Sequence, residues 1–211
     1  MTVAWHLEQH DSPLNWQAGL SLGFSRSGER TQLAHMSHRG PLRIQRPFYP
    51  EGADCPHLYI LHPPGGLVSG DTLRLQADVG EGANALLTTP SSGKCYRARD
   101  NGTFQVQHNR FTLAAGSSLE YLPQDTIAFA GCNAKLITRI DLGDDARCCA
   151  WDLLCLGRPA ADERFSYGSV EQRLDVWRDG RPIYIERNHF VGGYPLLDAH
   201  WGLAGAGVSG T

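Results

Sequence analysis

Alternation of apolar and polar side chains with a period of two residues is the feature that most restricts the fold of this sequence. In LRLQADV, residues 73–79, Leu, Leu, Ala and Val occupy every second position, and LITRIDL, residues 136–142, repeats the pattern with Leu, Thr, Ile and Leu on one side. Because successive side chains of a strand point to opposite faces, such segments predict half-buried strands. No stretch has the apolar spacing and caps of a long amphipathic helix. The sequence therefore predicts a mostly β protein with very few helices.

Three further segments make more specific predictions. In TFQVQH, residues 103–108, the alternation predicts that Phe104 and Val106 share the buried side, opposite Gln105 and Gln107. The run CCAWDLLCLG, residues 148–157, is apolar at nearly every position apart from an aspartate and predicts one strand covered on both faces. The Asp-Gly pair at 179–180 lies between two β-rich segments and predicts a hairpin turn.

Length and turn spacing favour one continuous domain. The chain has 211 residues, and turn signals recur at the spacing of about 8–12 residues that is common in sheet-rich domains. We expect residues 1–211 to form a single domain. The tail WGLAGAGVSGT is glycine-rich and stops abruptly, so it is interpreted as a chain cut short.

Charge and targeting patterns narrow the class of protein. The net charge is −3, which gives no electrostatic drive toward nucleic acid or a membrane surface. The start, MTVAWHLEQHDSPLNW, lacks the basic and apolar regions of a secretory signal. A cytoplasmic protein is expected, and its six cysteines are therefore expected to be reduced thiols.

The stretch HPPGGLVSGDT, residues 62–72, has the glycine spacing of a phosphate-binding P-loop after the apolar run LYIL. A P-loop needs a lysine after its second glycine, because the ammonium group holds the phosphates. Asp71 stands at that position and would repel a phosphate. The stretch is therefore interpreted as a rigid Pro-Gly turn, and no nucleotide is expected to bind there.

Candidate metal ligands are few and scattered. His35 and His38 form a histidine pair of useful spacing, and no Cys-x-x-Cys pair occurs. His62 and Asp71 flank the Pro-Gly turn and complete the set of weak candidates. His62 precedes two prolines, which favours a structural role on a rigid turn over a role as a general base. No tightly bound cofactor is expected.

A local basic segment interrupts this neutral-to-acidic chain. In TTPSSGKCYRARD, Lys94, Arg97 and Arg99 surround Tyr96 beside a Pro-Ser-Ser-Gly turn. Such a segment is typical either of a contact with an acidic partner or of an ordinary solvated edge strand. The residues alone leave both interpretations open.

Several blocks of the sequence resemble, in order, the urease accessory protein family UreD, called UreH in some organisms. The blocks run from about Gly40 to Gly193 and are long and unusual; they are GPLRIQRPFYPEG, LYILHPPGGLVSGD, LLTTPSSGKCYRA, LEYLPQDTIAF, LLCLGRPA and FSYG. The first forty residues match more loosely.

The resemblance implies a maturation factor and not an enzyme. Members of the family act with UreF and the GTPase UreG in a cytosolic complex that delivers nickel to apo-urease. Nickel would be held only transiently, and a two-fold assembly with UreF is expected. The implied fold is a layered, solenoid-like (β-helix-like) stack of sheets. Family members commonly continue beyond the point where this sequence stops, so the chain is expected to lack the family's C-terminal portion.

The matching blocks also supply candidate residues. Turn residues in them are expected to be architectural: Pro63, Gly65, Gly66 and Gly70. Polar residues in them are expected to form buried ion pairs or partner contacts: Arg43, Arg46, Asp71, Lys94, Tyr96, Arg97, Glu120 and Gln124. Arg158 is expected at a fixed bend between Gly157 and Pro159, and His62, with Asp71, is expected either to brace the Pro-Gly turn or to face the route of the metal. The alternative is a metal-dependent or acyl-transfer enzyme that uses His62 and Asp71 with Cys95.

Overall fold

The structure is a computed structural model, and it describes residues 16–211. The prediction that the chain start is not a secretory signal concerns residues 1–15 and lies outside the described residues. Seventeen strands run through the described part. In chain order they are β1 (Gln17–Ser27), β2 (Arg30–Arg39), β3 (Arg43–Ile44), β4 (His57–Leu61), β5 (Thr72–Val79), β6 (Asn84–Thr88), β7 (Gly93–Cys95), β8 (Gln105–Leu113), β9 (Ser118–Leu122), β10 (Thr126–Ala128), β11 (Asn133–Leu142), β12 (Arg147–Ala150), β13 (Leu153–Arg158), β14 (Glu163–Arg164), β15 (Ser169–Arg178), β16 (Arg181–Val191) and β17 (Val208–Gly210).

The strands form three sheets. The main sheet has seven strands in the order β16-β15-β11-β8-β5-β1-β2. Its five inner strands are parallel, and an antiparallel strand closes each edge. The second sheet has the order β12-β9-β6-β4-β3, and the third has the order β14-β13-β10-β7 with β17 added on β13.

The chain visits these sheets in a repeated order. From β5 onward it passes from the main sheet to the second and then to the third, and it makes this circuit three times before it returns as β15. Each strand pairs in parallel with the equivalent strand of the preceding circuit. The mostly β prediction is thereby confirmed. The solenoid-like stack stays a prediction.

Helical structure is limited to two short 3₁₀ helices among the described residues, Pro159–Ala161 and Pro195–Leu197. Across residues 16–211 there is no helix with the length and apolar character needed to cross a membrane. All six cysteines are free thiols, which agrees with the prediction.

The predicted faces of two main-sheet strands are confirmed. In β5, Leu73, Leu75, Ala77 and Val79 are buried while Gln76 and Asp78 are exposed. In β11, the residues at 136, 138, 140 and 142 are buried and their neighbours are only half-buried. The apolar members of these rows belong to a core that draws residues from all three sheets.

The predicted hairpin at the end of the chain is also confirmed. β15 and β16 pair as antiparallel strands on either side of the turn. Asp179 and Gly180 both have positive φ, 48° and 73°, as a two-residue type I′ turn requires. The Asp-Gly pair is therefore the residue choice that this turn favours.

The predicted face of β8 is wrong. Gln105 is fully buried and Phe104 is 36% exposed, so the odd-numbered residues point inward. The Gln105 amide explains the reversal, because its nitrogen donates to the backbone oxygens of Leu67 (3.0 Å) and Tyr96 (2.6 Å). Its oxygen accepts from the backbone N–H of Asn133 at 3.0 Å. A buried glutamine here satisfies backbone groups that an apolar side chain would leave unpaired.

The single doubly covered strand predicted over residues 148–157 is also wrong. The segment divides into β12 of the second sheet and β13 of the third, with Trp151 and Asp152 at the corner between them. Trp151 is held there by its indole N–H, which donates to the carbonyl oxygen of Pro123 at 2.7 Å. Cys149 is exposed, so the segment is not covered on both sides.

Candidate functional site

A cavity of about 410 Å³ lies among the three sheets. One wall is built from the corners that follow successive strands of the second sheet. His62 follows β4, Thr89 follows β6, Gln124 lies just after β9 and Asp152 follows β12. Because these strands are neighbours in the second sheet, the cavity crosses successive circuits of the chain.

The opposite wall is the inner face of the main sheet. It contributes Leu73 and Leu75 from β5, Asn109 from β8, and Leu136 and Thr138 from β11. Adjacent strands lie about 4.8 Å apart, so a cavity that touches three neighbouring strands extends for roughly 10 Å across them. Apolar residues dominate the β5 end of this wall, and polar residues begin at β8.

A polar cluster occupies the middle of the cavity wall. The Asn109 amide nitrogen donates to the Tyr121 hydroxyl and to Thr138 Oγ1, at 3.1 Å in both cases. Asn109 Oδ1 is buried and has no hydrogen-bond partner in the described part of the chain. A buried acceptor without a partner is costly unless water or a cation satisfies it. The cluster therefore presents an oxygen that suits either of those species.

Asp152 adds a carboxylate to this cluster. Burial raises its pKa to about 6, a hydrogen bond from Gln172 opposes the shift, and the negative charge of Glu186 adds to it. Burial also raises the pKa of the Tyr121 phenol, and the charge of Asp152 contributes to that shift. At neutral pH most Asp152 carboxyls are therefore ionised while Tyr121 remains a neutral donor and acceptor.

His62 stands at the other end of the row of corners. Its carbonyl oxygen accepts from the Gly65 N–H at 2.8 Å, which closes the turn. Burial lowers the pKa of the half-buried imidazole, and the nearby Asp71 charge partly offsets this effect. The ring is therefore mainly neutral at pH 7 and keeps a nitrogen lone pair for a metal ion.

Asp71 braces the turn and does not line the cavity. The side chain is 7% exposed, and one carboxylate oxygen accepts from the Val68 N–H at 3.0 Å. The other oxygen accepts from the Trp16 N–H at 3.4 Å. Both oxygens are thus directed at backbone groups, which accounts for an aspartate after Gly70.

A family model described as UreD urease accessory protein matches residues 17–211. The chain belongs to the UreD family. It is 48% identical over 211 residues to the urease accessory protein UreD of Dechloromonas aromatica, covering all of this chain and 73% of the relative. It is 47% identical to UreD of Marinobacter nauticus, covering 75% of that protein, and 51% identical to UreD of Citrobacter koseri over 178 residues, covering 84% of this chain and 61% of that one.

The glycine-rich block that resembles UreD forms a tight turn packed against neighbouring segments. Gly65 and Gly70 have positive φ, 76° and 90°, which favours glycine over any side chain. A Cβ at Gly66 would lie 2.9 Å from the Lys94 carbonyl oxygen and 2.5 Å from the Tyr96 ring. Pro63 is exposed at the outside of the same turn and lines the cavity mouth. The block packs directly against the basic segment, because Leu67 and residues 94–96 exchange backbone hydrogen bonds.

The polar residues of the UreD blocks divide by position. Lys94 and Gln124 line the cavity. Tyr96 packs against Phe129 within the chain, with ring centroids 5.2 Å apart. The remaining residues have exposed side chains and form no buried ion pair, so their role as partner contacts stays a prediction. They are Arg43, Arg46, Arg97, Glu120 and Arg158.

Two of these exposed arginines have nearby carboxylates. Arg97 lies 3.9 Å from Asp100, and Arg158 pairs with Glu163 beside the bend at Pro159. Both guanidinium groups also lie over aromatic rings, Arg97 over Tyr167 and Arg158 over Phe129. The Arg158 contacts agree with a structural bend.

The predicted histidine pair, His35 and His38, is not part of the cavity. His35 and His38 are exposed on the edge strand β2, and neither lines the cavity. Within residues 16–211, no group of three or more His, Cys, Asp or Glu side chains is arranged to hold a metal ion.

Cys95, the third residue of the alternative enzymatic site, is fully buried and is not part of the cavity wall. Burial raises the pKa of its thiol well above the usual range, and the neighbouring Cys132 adds to the shift. The thiolate is the nucleophilic form of cysteine. Cys95 is therefore a protonated core residue with no access to a substrate in the cavity.

Sequence reasoning did not identify the central cluster of Asn109, Tyr121 and Asp152. Asn109 lies on an inward position of β8, the strand whose faces were predicted in reverse. Asp152 was recognised only as a polar exception in an apolar run. Thr138 was correctly placed on the buried side of β11, and a polar residue in a buried row was the available signal.

Proposed function

We propose that this chain is a non-catalytic scaffold in urease maturation and that nickel destined for apo-urease passes through its cavity. The observation that carries the proposal is the cavity wall built from corners of successive circuits, which brings donor side chains from several circuits into one cavity. The name of the relatives, urease accessory protein, supports the urease part of the proposal.

The donor chemistry of the cavity suits a passing divalent ion. A neutral imidazole at His62, amide and hydroxyl oxygens at Asn109 and Thr138, and the carboxylate of Asp152 are ligand types that nickel accepts. Asn109, Thr138 and Asp152 belong to one cluster, whereas His62 stands at the other end of the row of corners. Within residues 16–211 no group of three or more His, Cys, Asp or Glu side chains is arranged to hold a metal ion. Each contact would therefore hold the ion weakly and briefly, as passage requires.

The partners in this proposal are UreF, UreG and apo-urease, acting together in the cytoplasm. GTP hydrolysis belongs to UreG, which fits the aspartate at the P-loop lysine position of this chain. UreF is expected to bind this chain in a two-fold assembly.

Reconstitution from purified components tests the proposal. Apo-urease is incubated with UreF, UreG, GTP, bicarbonate and nickel, with and without this chain, and urea hydrolysis is measured. We expect activation to depend on the chain, and we expect the chain alone to hydrolyse neither GTP nor simple esters. Intrinsic turnover by the isolated chain that disappears in His62→Ala would overturn the non-catalytic assignment.

A further inference from the structure

A row of cationic side chains crosses the outer face of the main sheet, opposite the cavity. The strand registers align Arg39 with Gly19, Gly19 with Arg74, and Arg74 with His108. The same row continues through Ile137 to Arg173 and Arg187. It therefore places four arginines and one histidine across seven strands, and we name these five residues the arginine row.

The geometry of the sheet gives the row its length. Six strand intervals of about 4.8 Å separate β2 from β16, so the row extends for roughly 29 Å. Its members lie on the positions opposite those that line the cavity, because side chains alternate between the two faces. All five are half-buried or exposed in the described chain.

Few carboxylates compensate this positive charge. Arg74 donates to the amide oxygen of Gln17 at 2.8 Å, which is a neutral partner. Arg39 and Arg187 are exposed, and no carboxylate lies within ion-pair distance of either among residues 16–211. Arg173 pairs with the buried carboxylate of Asp175, two residues further along the same face of β15, so one arginine of the row is compensated.

The next row of side chains on the same face of the main sheet also carries positive charge. Arg110 and Arg139 face one another across β8 and β11 and share one carboxylate, that of Asp141. Like charges on adjacent strands disfavour the sheet unless something offsets them. The pKa of His108 is lowered by burial first and then by the charges of Arg74 and Arg110, in keeping with the positive charge of the two rows.

We propose that the arginine row is a docking surface for an acidic protein face, and that the urease apoprotein carries that face. The chain as a whole has a net charge of −3, so this positive row is a local feature and not a general attraction to polyanions. Complementary charge across an interface mainly accelerates association and fixes orientation. The assignment of urease as the occupant rests on the proposed function.

Binding of the purified full chain to immobilised apo-urease tests the surface, with sodium chloride varied from low to high concentration. The double variant Arg39→Glu/Arg187→Glu is expected to slow association by about ten-fold at low salt and to flatten the salt dependence. Arg39→Gln/Arg187→Gln is expected to give an intermediate loss. Both side chains are exposed, so the fold should survive, and the thermal unfolding temperature verifies this.

The matched control compares two variants that each carry one charge reversal. Arg187→Glu is expected to weaken binding, whereas Arg147→Glu, on an exposed position of β12 in the second sheet, is expected to leave it unchanged. Equal losses in the two variants, or none in either, would overturn the surface. Duplex DNA and phosphatidylserine vesicles serve as further probes, and capture of either through Arg39 and Arg187 with urease binding unaffected would also overturn it.

The outcome separates this proposal from the proposed function. If the wild-type chain binds apo-urease and the row variants bind equally well, the surface is wrong while the urease role stands. If the wild-type chain does not bind apo-urease, alone or with UreF and UreG, both the proposed function and this inference are contradicted.

Discussion

Replacement of Asp152 with lysine is expected to reduce urease activation in the reconstituted system by at least about ten-fold, which corresponds to roughly 1.4 kcal/mol or more. The substitution exchanges a carboxylate that lines the cavity for a fixed positive charge. A cation in a partly dehydrated site repels a divalent ion far more strongly than it would in water. The measurement is the initial rate of urea hydrolysis after a fixed period of maturation.

Two controls separate passage from folding. Asp144→Lys makes the same charge change in the exposed turn after β11 and should leave activation unchanged.

The second control, Asp152→Asn, removes the carboxylate with almost no change in shape. Because folding raises the Asp152 pKa from 3.8 to about 6, its stabilising contribution is present below about pH 4 and is lost as the pH rises through 6. At pH 7.5 the asparagine variant should therefore unfold at a higher temperature than the wild type while activating urease less. Full activation by the lysine variant would exclude Asp152 from the route.

Replacement of Phe111 with alanine is expected to lower the free energy of unfolding by about 3–5 kcal/mol. Phe111 is fully buried on the inner face of β8, and its ring centroid lies 4.7 Å from that of Tyr121. Removal of the ring leaves a cavity between the main and second sheets and takes away the packing partner of Tyr121. For a domain of this size the loss corresponds to a fall of about 6–20 °C in unfolding temperature.

Phe104, just before the same strand, is the matched control. It is 36% exposed and lies under the Lys135 ammonium group at 4.0 Å from the ring centroid. Phe104→Ala should cost about 1 kcal/mol or less, since exposed positions contribute little. Thermal or urea unfolding of the two variants decides the comparison. A larger loss for Phe104→Ala than for Phe111→Ala would mean that the inward and outward faces of β8 are assigned in reverse.

The strands were predictable where alternation and burial agree. β5 and β11 each bury apolar or small side chains at every second residue, and the Asp179-Gly180 turn has chemistry that few other turns share. The face of β8 was not predictable from its first residues. There the buried position belongs to Gln105. Its burial is stabilised by hydrogen bonds to three backbone groups that come from other parts of the chain.

The cavity was less accessible to sequence reasoning than the strands. Its lining residues His62, Asn109 and Asp152 are far apart in the sequence, and they line one cavity only because the chain repeats its circuit through three sheets. Hydrophobic periodicity carries no information about that registration. From the sequence, His62 and Asp71 were both candidates either for bracing the Pro-Gly turn or for contacting a metal ion. The structure separates them, since Asp71 bonds to the turn backbone and His62 lines the cavity.

Paramagnetic broadening by nickel tests the central claim most directly. The isolated chain, isotopically labelled and assigned, is titrated with substoichiometric nickel while its NMR spectrum is recorded. The ion should exchange rapidly and selectively broaden signals of cavity residues such as His62, Asn109 and Thr138, and Asp152→Asn should reduce the effect. Broadening confined to the exposed histidines His35 and His38, with the cavity signals unchanged, would contradict a nickel route through the cavity.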